Sequence, residues 1–177
     1  MVLADAQIRT LIERDKLVCP VSDSQINPAS VNLTLGDTFL IPRIKKNVGI
    51  ELGGEVEYRR FVAKEDGFPI DPGEFVLATT RECVNIPPYL AAFVQGRSSI
   101  GRVGLTTQNA GFVDPGFHGH ITLELVNESP NTIILKPDYP VAQLVFFECY
   151  PVEKPYSGKY NGQVEATGSR MYMDEVK

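Results

Sequence analysis

Residues 119–127 read GHITLELVN, and from His120 to Leu125 polar and apolar side chains alternate without a break. Side chains point to opposite faces at successive strand positions, so Ile121, Leu123 and Leu125 share one face and His120, Thr122 and Glu124 the other. Such a segment is a strand with one face in a core and one polar face. Shorter strand signals recur: residues 30–35 alternate, residues 74–79 follow a Pro-Gly turn, and residues 89–95 follow Pro87 and Pro88. With 15 Gly and 13 Pro as punctuation, the pattern predicts a mainly β chain, a barrel or sandwich with little helix. The exception lies near the start, where Asp5, a capping-type residue, precedes Ile8, Leu11 and Ile12 at helical spacing.

A chain of 177 residues, 43% hydrophobic, is long enough for one substantial core and short for two. Its 22 acidic against 17 basic residues argue against a broad nucleic-acid or membrane surface, because those partners reward a basic patch. Any anionic ligand must be met locally. Cys19, Cys83 and Cys149 are far apart and lack metal or redox-pair spacing, so they are expected to be reduced and buried. No secretory pattern opens the sequence and no apolar run is long enough for a membrane span. The expectation is a soluble, cytoplasmic protein.

Residues 96–102, GRSSIGR, place two arginines, two hydroxyls and two glycines together in this acidic chain. Guanidinium forks, hydroxyls and glycine-freed amides all donate to phosphate or carboxylate oxygens. An ordinary turn with an exposed salt bridge fits the same string. Asp114 precedes a Pro-Gly turn, a common structural place for aspartate, and Glu124 is either a solvated carboxylate or a buried functional one. Their grouping with Arg102 within 28 residues is what two or three antiparallel strands could bring into one pocket. After Pro151 the hydrophobic period ends, and Tyr156, Lys159 and Gln163 fall in a Gly-, Tyr- and polar-rich stretch. That stretch suits either a disordered end or a mobile lid over a polyanion.

INPASVNLTLG from Ile26, GRSSIGRVGL from Gly96, AGFVDPGFHGHITLELVN from Ala110, AQL from Ala142 and KYNGQ from Lys159 together resemble the dCTP deaminase branch of the dUTPase superfamily. The similarity runs from the first helix to the tail and is strongest toward the bifunctional dCTP deaminase-dUTPases, which form dUMP. It implies a distorted, jelly-roll-like β-barrel over residues 1–150, a nucleotide lid over residues 151–177, and a homotrimer with active sites between subunits. It further implies dCTP and dUTP as substrates, Mg²⁺ carried on the substrate triphosphate, and dTTP as a candidate inhibitor. Residue by residue, it implies phosphate and catalytic-site roles for Arg97, Ser98, Ser99 and Arg102, with Ile100 and Gly101 in the same nucleotide-binding segment. By the same matching Asp114 faces the deoxyribose, Thr122 and Glu124 face the pyrimidine, with Leu123 in the same nucleotide-binding segment, and Gln143, Tyr156, Lys159 and Gln163 hold or cover the triphosphate.

Deamination at cytosine C4 needs an activated water, a protonated ring nitrogen and a proton for departing ammonia, so one carboxylate must shuttle protons. Glu124 is the candidate. Zinc deaminases use an H-x-E and P-C-x-x-C arrangement, which this sequence lacks, so no zinc or other protein-bound metal is expected. Pyrophosphate release requires water to attack the α-phosphorus while Mg²⁺ and cationic side chains absorb charge, and Asp114 is placed to assist. The loop Thr107-Gln108-Asn109-Ala110-Gly111 is one residue shorter than the T-H-x-T-A-G pattern of deaminase relatives and has no histidine, a feature closer to plain dUTPases. Three readings therefore stand: the bifunctional enzyme, a monofunctional dUTPase or dCTP deaminase, and a non-catalytic nucleotide-binding regulator.

Overall fold

The computed structural model describes residues 1–43, 48–108 and 111–174. One helix, α1 (Asp5–Asp15), opens the chain, followed by short strands β1 (Val18–Cys19) and β2 (Ile26–Asn27), the long β3 (Ser30–Pro42), then β4 (Tyr58–Val62), β5 (Phe68–Ile70), β6 (Phe75–Asn85) and β7 (Leu90–Gly96). A single helical turn, α2 (Ser98–Gly101), leads to β8 (Leu105–Gln108), β9 (Phe112–Val113), β10 (His118–Asn127), β11 (Ile133–Leu135) and β12 (Pro140–Glu148). The main sheet runs β8-β10-β6-β3-β12-β7-β9, with β1 added to β6 and both β2 and β4 to β3, while β5 and β11 form a small separate pair. The result is the mainly β, curled half-barrel that the alternating segments predict.

The alternation in β10 decides its orientation. Its residues run exposed or half-buried at even numbers and buried at odd ones, with Leu123 and Leu125 in the same core as Leu33, Phe39 and Phe146. Burying one such side chain contributes about 1.5–3 kcal/mol, so a register slip that turned this row outward is strongly opposed. Phe39 also stacks on Phe68 of β5, ring centroids 4.6 Å apart, and ties the small sheet to the large one. In α1, Ile8 and Leu11 are buried and Ile12 packs against the core. Asp5 sits inside the first turn, with Ala4 at the cap position.

The β6–β10 ladder is irregular at one place. His120 pairs with Cys83, but Thr122 pairs with Thr79, so β6 carries extra residues at positions 80–82. The Thr80 hydroxyl accepts the Ile121 N–H at 2.9 Å and donates to the Glu82 carbonyl at 2.8 Å, satisfying groups the ladder leaves unpaired. Glu82 itself turns inward, where the Thr34 N–H, the Thr34 hydroxyl and the Gln25 amide donate to its carboxylate at 2.9, 2.7 and 2.8 Å.

The cysteines differ from expectation in one respect. All are free thiols, but Cys19 is exposed and Cys83 and Cys149 are only partly buried, because each lies near a strand end rather than on the core-facing row.

Candidate active site

The polar face of β10 forms the floor of a cavity of about 490 Å³, within the usual size for a small-molecule site. Glu124, Thr122 and Asp114 reach its wall together with the apolar side chains of Leu77, Val94, Phe112 and Phe117. Glu124 is half-buried, and burial pushes its carboxyl above the ordinary value of 4.5. A carboxyl poised toward its protonated form suits a group that must both give and take a proton. Asp114 is exposed and its carbonyl accepts the Phe117 N–H at 3.1 Å, closing the Pro-Gly turn that presents its side chain.

The tail makes the opposite wall. Among the described residues, strand β8 pairs with β10 along Glu124–Asn127, on the edge away from β6. The tail takes this edge: Gly162 N–H donates to the His118 carbonyl at 2.7 Å, His120 N–H to the Gln163 carbonyl at 2.8 Å, and Tyr156 N–H to the Pro115 carbonyl at 2.8 Å. Thr167 N–H reaches the Thr122 hydroxyl at 3.1 Å, and the Gln163 side-chain oxygen accepts from that hydroxyl at 3.4 Å. Two glycines permit the approach. At Gly116 (φ +94°) an added Cβ would lie 2.6 Å from Pro155 Cβ, and at Gly119 (φ +143°) 2.8 Å from the Gln163 carbonyl oxygen. Both positions demand a backbone that other residues rarely adopt.

A family model described as dCTP deaminase-like matches residues 2–149. The chain belongs to the dCTP deaminase-like family. It is 45% identical over 181 residues to a protein of Persephonella marina named "dCTP deaminase, dUMP-forming", covering 99% of each. It is 43% identical over 177 residues to one of the same name from Aquifex aeolicus, covering 99% of this chain and 97% of the relative. The crystal structure of 2′-deoxycytidine 5′-triphosphate deaminase from Agrobacterium tumefaciens superposes with a TM-score of 0.63 at 21% identity, a likeness of fold. That match covers 82% of this chain and 47% of the other, so the chain spans about half the length of that solved protein.

The family segment GRSS lies apart from the cavity. No lysine or arginine is among the described residues of its wall, and neither Arg97, Ser98, Ser99, Arg102 nor Gln143 reaches it. These residues make a second patch at the junction of β7 and β12. Gln143 pairs with Gln95, the Arg97 N–H donates to the Val141 carbonyl at 3.2 Å, and its guanidinium donates to the Pro140 carbonyl at 3.0 Å. Buried Ile100 anchors the turn, while Ser98, Ser99, Gly101 and Arg102 are exposed, with the Arg102 guanidinium 3.3 Å from the Ser98 hydroxyl. The grouping of Arg102 with Asp114 and Glu124 in one pocket is therefore not made within one chain. Lys159 is also outside the cavity wall and is paired with Asp174.

Several wall residues carry no role from the sequence, although Tyr160 falls in KYNGQ and Thr107 opens the shortened loop. Tyr58 of β4 accepts the Ser169 N–H at 3.1 Å through its hydroxyl, and Tyr160 accepts the Arg170 N–H at 2.9 Å, so both hold the tail. Thr107 of β8 lines the cavity, and its buried hydroxyl has no hydrogen-bond partner among the described residues. In the loop that follows, Asn109 and Ala110 lie outside the described residues, so the shortened deaminase loop remains a feature of the sequence.

Proposed function

We propose that this chain is a dUMP-forming dCTP deaminase, converting dCTP and two waters to dUMP, pyrophosphate and ammonia. The observation that carries the reading is a half-buried carboxyl of raised pKa, Glu124, beside Thr122 and Asp114 in one cavity, in a chain 45% identical along its length to a relative of that name. Thr122 and the β10 backbone hold the pyrimidine. Glu124 takes a proton from the attacking water and passes it to the ring nitrogen, then takes the proton of the new C4 hydroxyl and passes it to the departing amine, which leaves a C4 carbonyl and returns the carboxylate to its starting form. Asp114 orients the sugar and the water that attacks the α-phosphorus.

The triphosphate requires cations, and the cavity wall has none among its described residues. Arg97, Ser98, Ser99, Arg102 and Gln143 of a neighbouring copy fill that need, which makes the active unit an oligomer, a homotrimer by resemblance. Magnesium travels on the triphosphate oxygens and neutralises charge as pyrophosphate leaves. Among the described residues no group of three or more His, Cys, Asp or Glu is clustered to hold a metal. Residues 151–177 act as the closing segment over a barrel of residues 1–150. Lys159 exchanges Asp174 for phosphate as it closes, and Tyr156 and Gln163 exclude water. No helix among the described residues is long and apolar enough to cross a membrane.

The test is incubation with dCTP and Mg²⁺ and separation of the products. Release of dUMP with equimolar ammonia is expected. Release of dUTP alone makes the protein a monofunctional deaminase. Untouched dCTP with dUTP converted to dUMP makes it a plain dUTPase, the reading that the short loop at 107–111 favours.

A further inference from the structure

One side-chain cluster lies outside both the cavity and the cationic patch. The two-residue strand β1 pairs antiparallel with β6, and its register sets Cys19 directly opposite Cys83. Directly opposed residues on an antiparallel pair carry their side chains on one face, with Cβ atoms about 4.5–5.5 Å apart. The Asn85 N–H donates to the Leu17 carbonyl at 3.0 Å, and two residues further along the same ladder the two cysteines occupy the equivalent phase, for which Cα atoms stand about 5.5 Å apart. That Cα spacing falls inside the range of about 4.4–6.8 Å that a disulfide requires, while the Cβ atoms must draw in to about 3.5–4.5 Å, a closure on the order of 1 Å by the two-residue strand β1 onto β6. His118 lies against the pair, its Nε2 3.9 Å from Cys83 Sγ. Cys19 is exposed, whereas Cys83 is partly buried, and Cys149 lies outside this ladder, its N–H donating to the Tyr89 carbonyl at 3.1 Å.

We propose that Cys19 and Cys83 form a reversible cross-strand disulfide, a modification site whose oxidant is a low-molecular-weight disulfide of the glutathione class. The exposed Cys19 thiolate attacks one sulfur of the oxidant, forming a mixed disulfide and releasing one thiolate. Cys83 then gives its proton to His118 Nε2 or to water and attacks Cys19 Sγ, forming the internal bond and releasing the second thiolate. Two protein thiols lose two electrons and two protons, and the oxidant becomes two thiols. Burial pushes the Cys83 thiol up, so it is the slower nucleophile and acts second, within the sheet, where the opposed geometry compensates for its low thiolate fraction.

The bond has a structural reach. It would join the chain after α1 to the strand that pairs with His118 and His120, the same residues on which the tail docks. Closing the chain between residues 19 and 83 restricts the unfolded chain and raises thermal stability, by on the order of 10 °C in the midpoint.

The experiment treats the full-length folded protein with oxidised glutathione, blocks remaining thiols, and combines thiol titration, intact mass and peptide mapping. The expected result is a fall from three free thiols to one, a mass loss of about 2 Da, linked peptides containing Cys19 and Cys83, a raised midpoint, and full reversal by dithiothreitol. Cys149→Ser should still lose two thiols, and Cys19→Ser should form no internal bond. A stable glutathionyl adduct on Cys19 with Cys83 free, or linkage through Cys149 or between chains, would overturn the proposal.

Discussion

The floor of the cavity and the GRSS turn are opposites built by the same fold. The floor is a strand paired with β6 on one edge and with β8 and the tail on the other, and the cavity above it has the carboxylates Glu124 and Asp114, apolar walls and no cation among its described residues. The turn is exposed, carries Arg97 and Arg102, and rests on one buried side chain, Ile100. A carboxylate-lined cavity repels a polyanion and an exposed arginine turn cannot exclude water, so in the proposed function neither region is a nucleotide site alone. The difference teaches how that proposal divides the work: proton transfer to the half-buried region and charge neutralisation to the arginine turn of another chain.

The largest expected effect separates the halves. Glu124→Gln keeps the shape of the side chain and removes its proton, so ammonia release from dCTP should fall roughly a thousandfold while equilibrium binding of a non-hydrolysable nucleotide changes little. Near wild-type deamination by this variant would remove Glu124 from the chemistry. Arg102→Ala acts on the other half. It should lower kcat/KM for dCTP and dUTP alike by about a hundredfold, with the barrel's thermal midpoint unchanged, since the side chain is exposed. A loss confined to dCTP would tie Arg102 to the base rather than to the phosphates.

The tail tests whether the floor works when uncovered. Gly119→Val places a side chain against the Gln163 backbone and should cost about tenfold to a hundredfold in kcat/KM by displacing the cover. Hydrogen exchange over residues 156–167 should rise in that variant, and if activity falls without such a rise the tail is not the cause.

Titration of Glu124 gives a subtler reading of its burial. The folded state holds this proton more tightly than the unfolded chain, because burial raises the carboxyl above 4.5. Stability therefore falls as pH rises from that ordinary value through the folded one, and the cost is fully present above the folded value. Glu124→Gln should raise the thermal midpoint at pH 8 and leave it unchanged below pH 4, relative to the unsubstituted protein at the same pH. A midpoint difference independent of pH would place the effect in packing instead. The smallest expected effect is at Thr107, where Thr107→Val removes a buried hydroxyl without a partner among the described residues. If that hydroxyl meets substrate, kcat/KM should fall about fivefold although the empty protein becomes no less stable.

Much of this was legible in the sequence. The period of two in residues 120–125 fixed both the strand and the face on which Glu124 would lie, because alternation has a single solution once one row is apolar. Proline and glycine pairs marked the starts of β6 and β7 to within a residue. The irregularity at Thr80–Glu82 was not legible, since a residue inserted in one strand leaves no trace in the period of the other. Tyr58 was equally silent, as its role depends on where the tail crosses it. Gly116 and Gly119 were visible only as turn residues, and their second purpose, admitting the tail backbone, emerges from its approach. The placement of Arg102 with Glu124 was expected in one pocket because sequence proximity suggested it, but Arg102 sits at the end of α2, outside the cavity wall that Glu124 lines.

The measurement that bears most directly on two half-sites meeting across chains is complementation. Glu124→Gln and Arg102→Ala chains, each inactive alone, are co-expressed in equal amounts with different tags, and mixed oligomers are isolated and assayed with dCTP. A mixed trimer of either composition has one junction of three that draws intact Glu124 from one chain and intact Arg102 from its neighbour, so about a third of wild-type activity should return. Mixed oligomers as inactive as either parent would contradict the account, because both residues would then have to serve one site from the same chain.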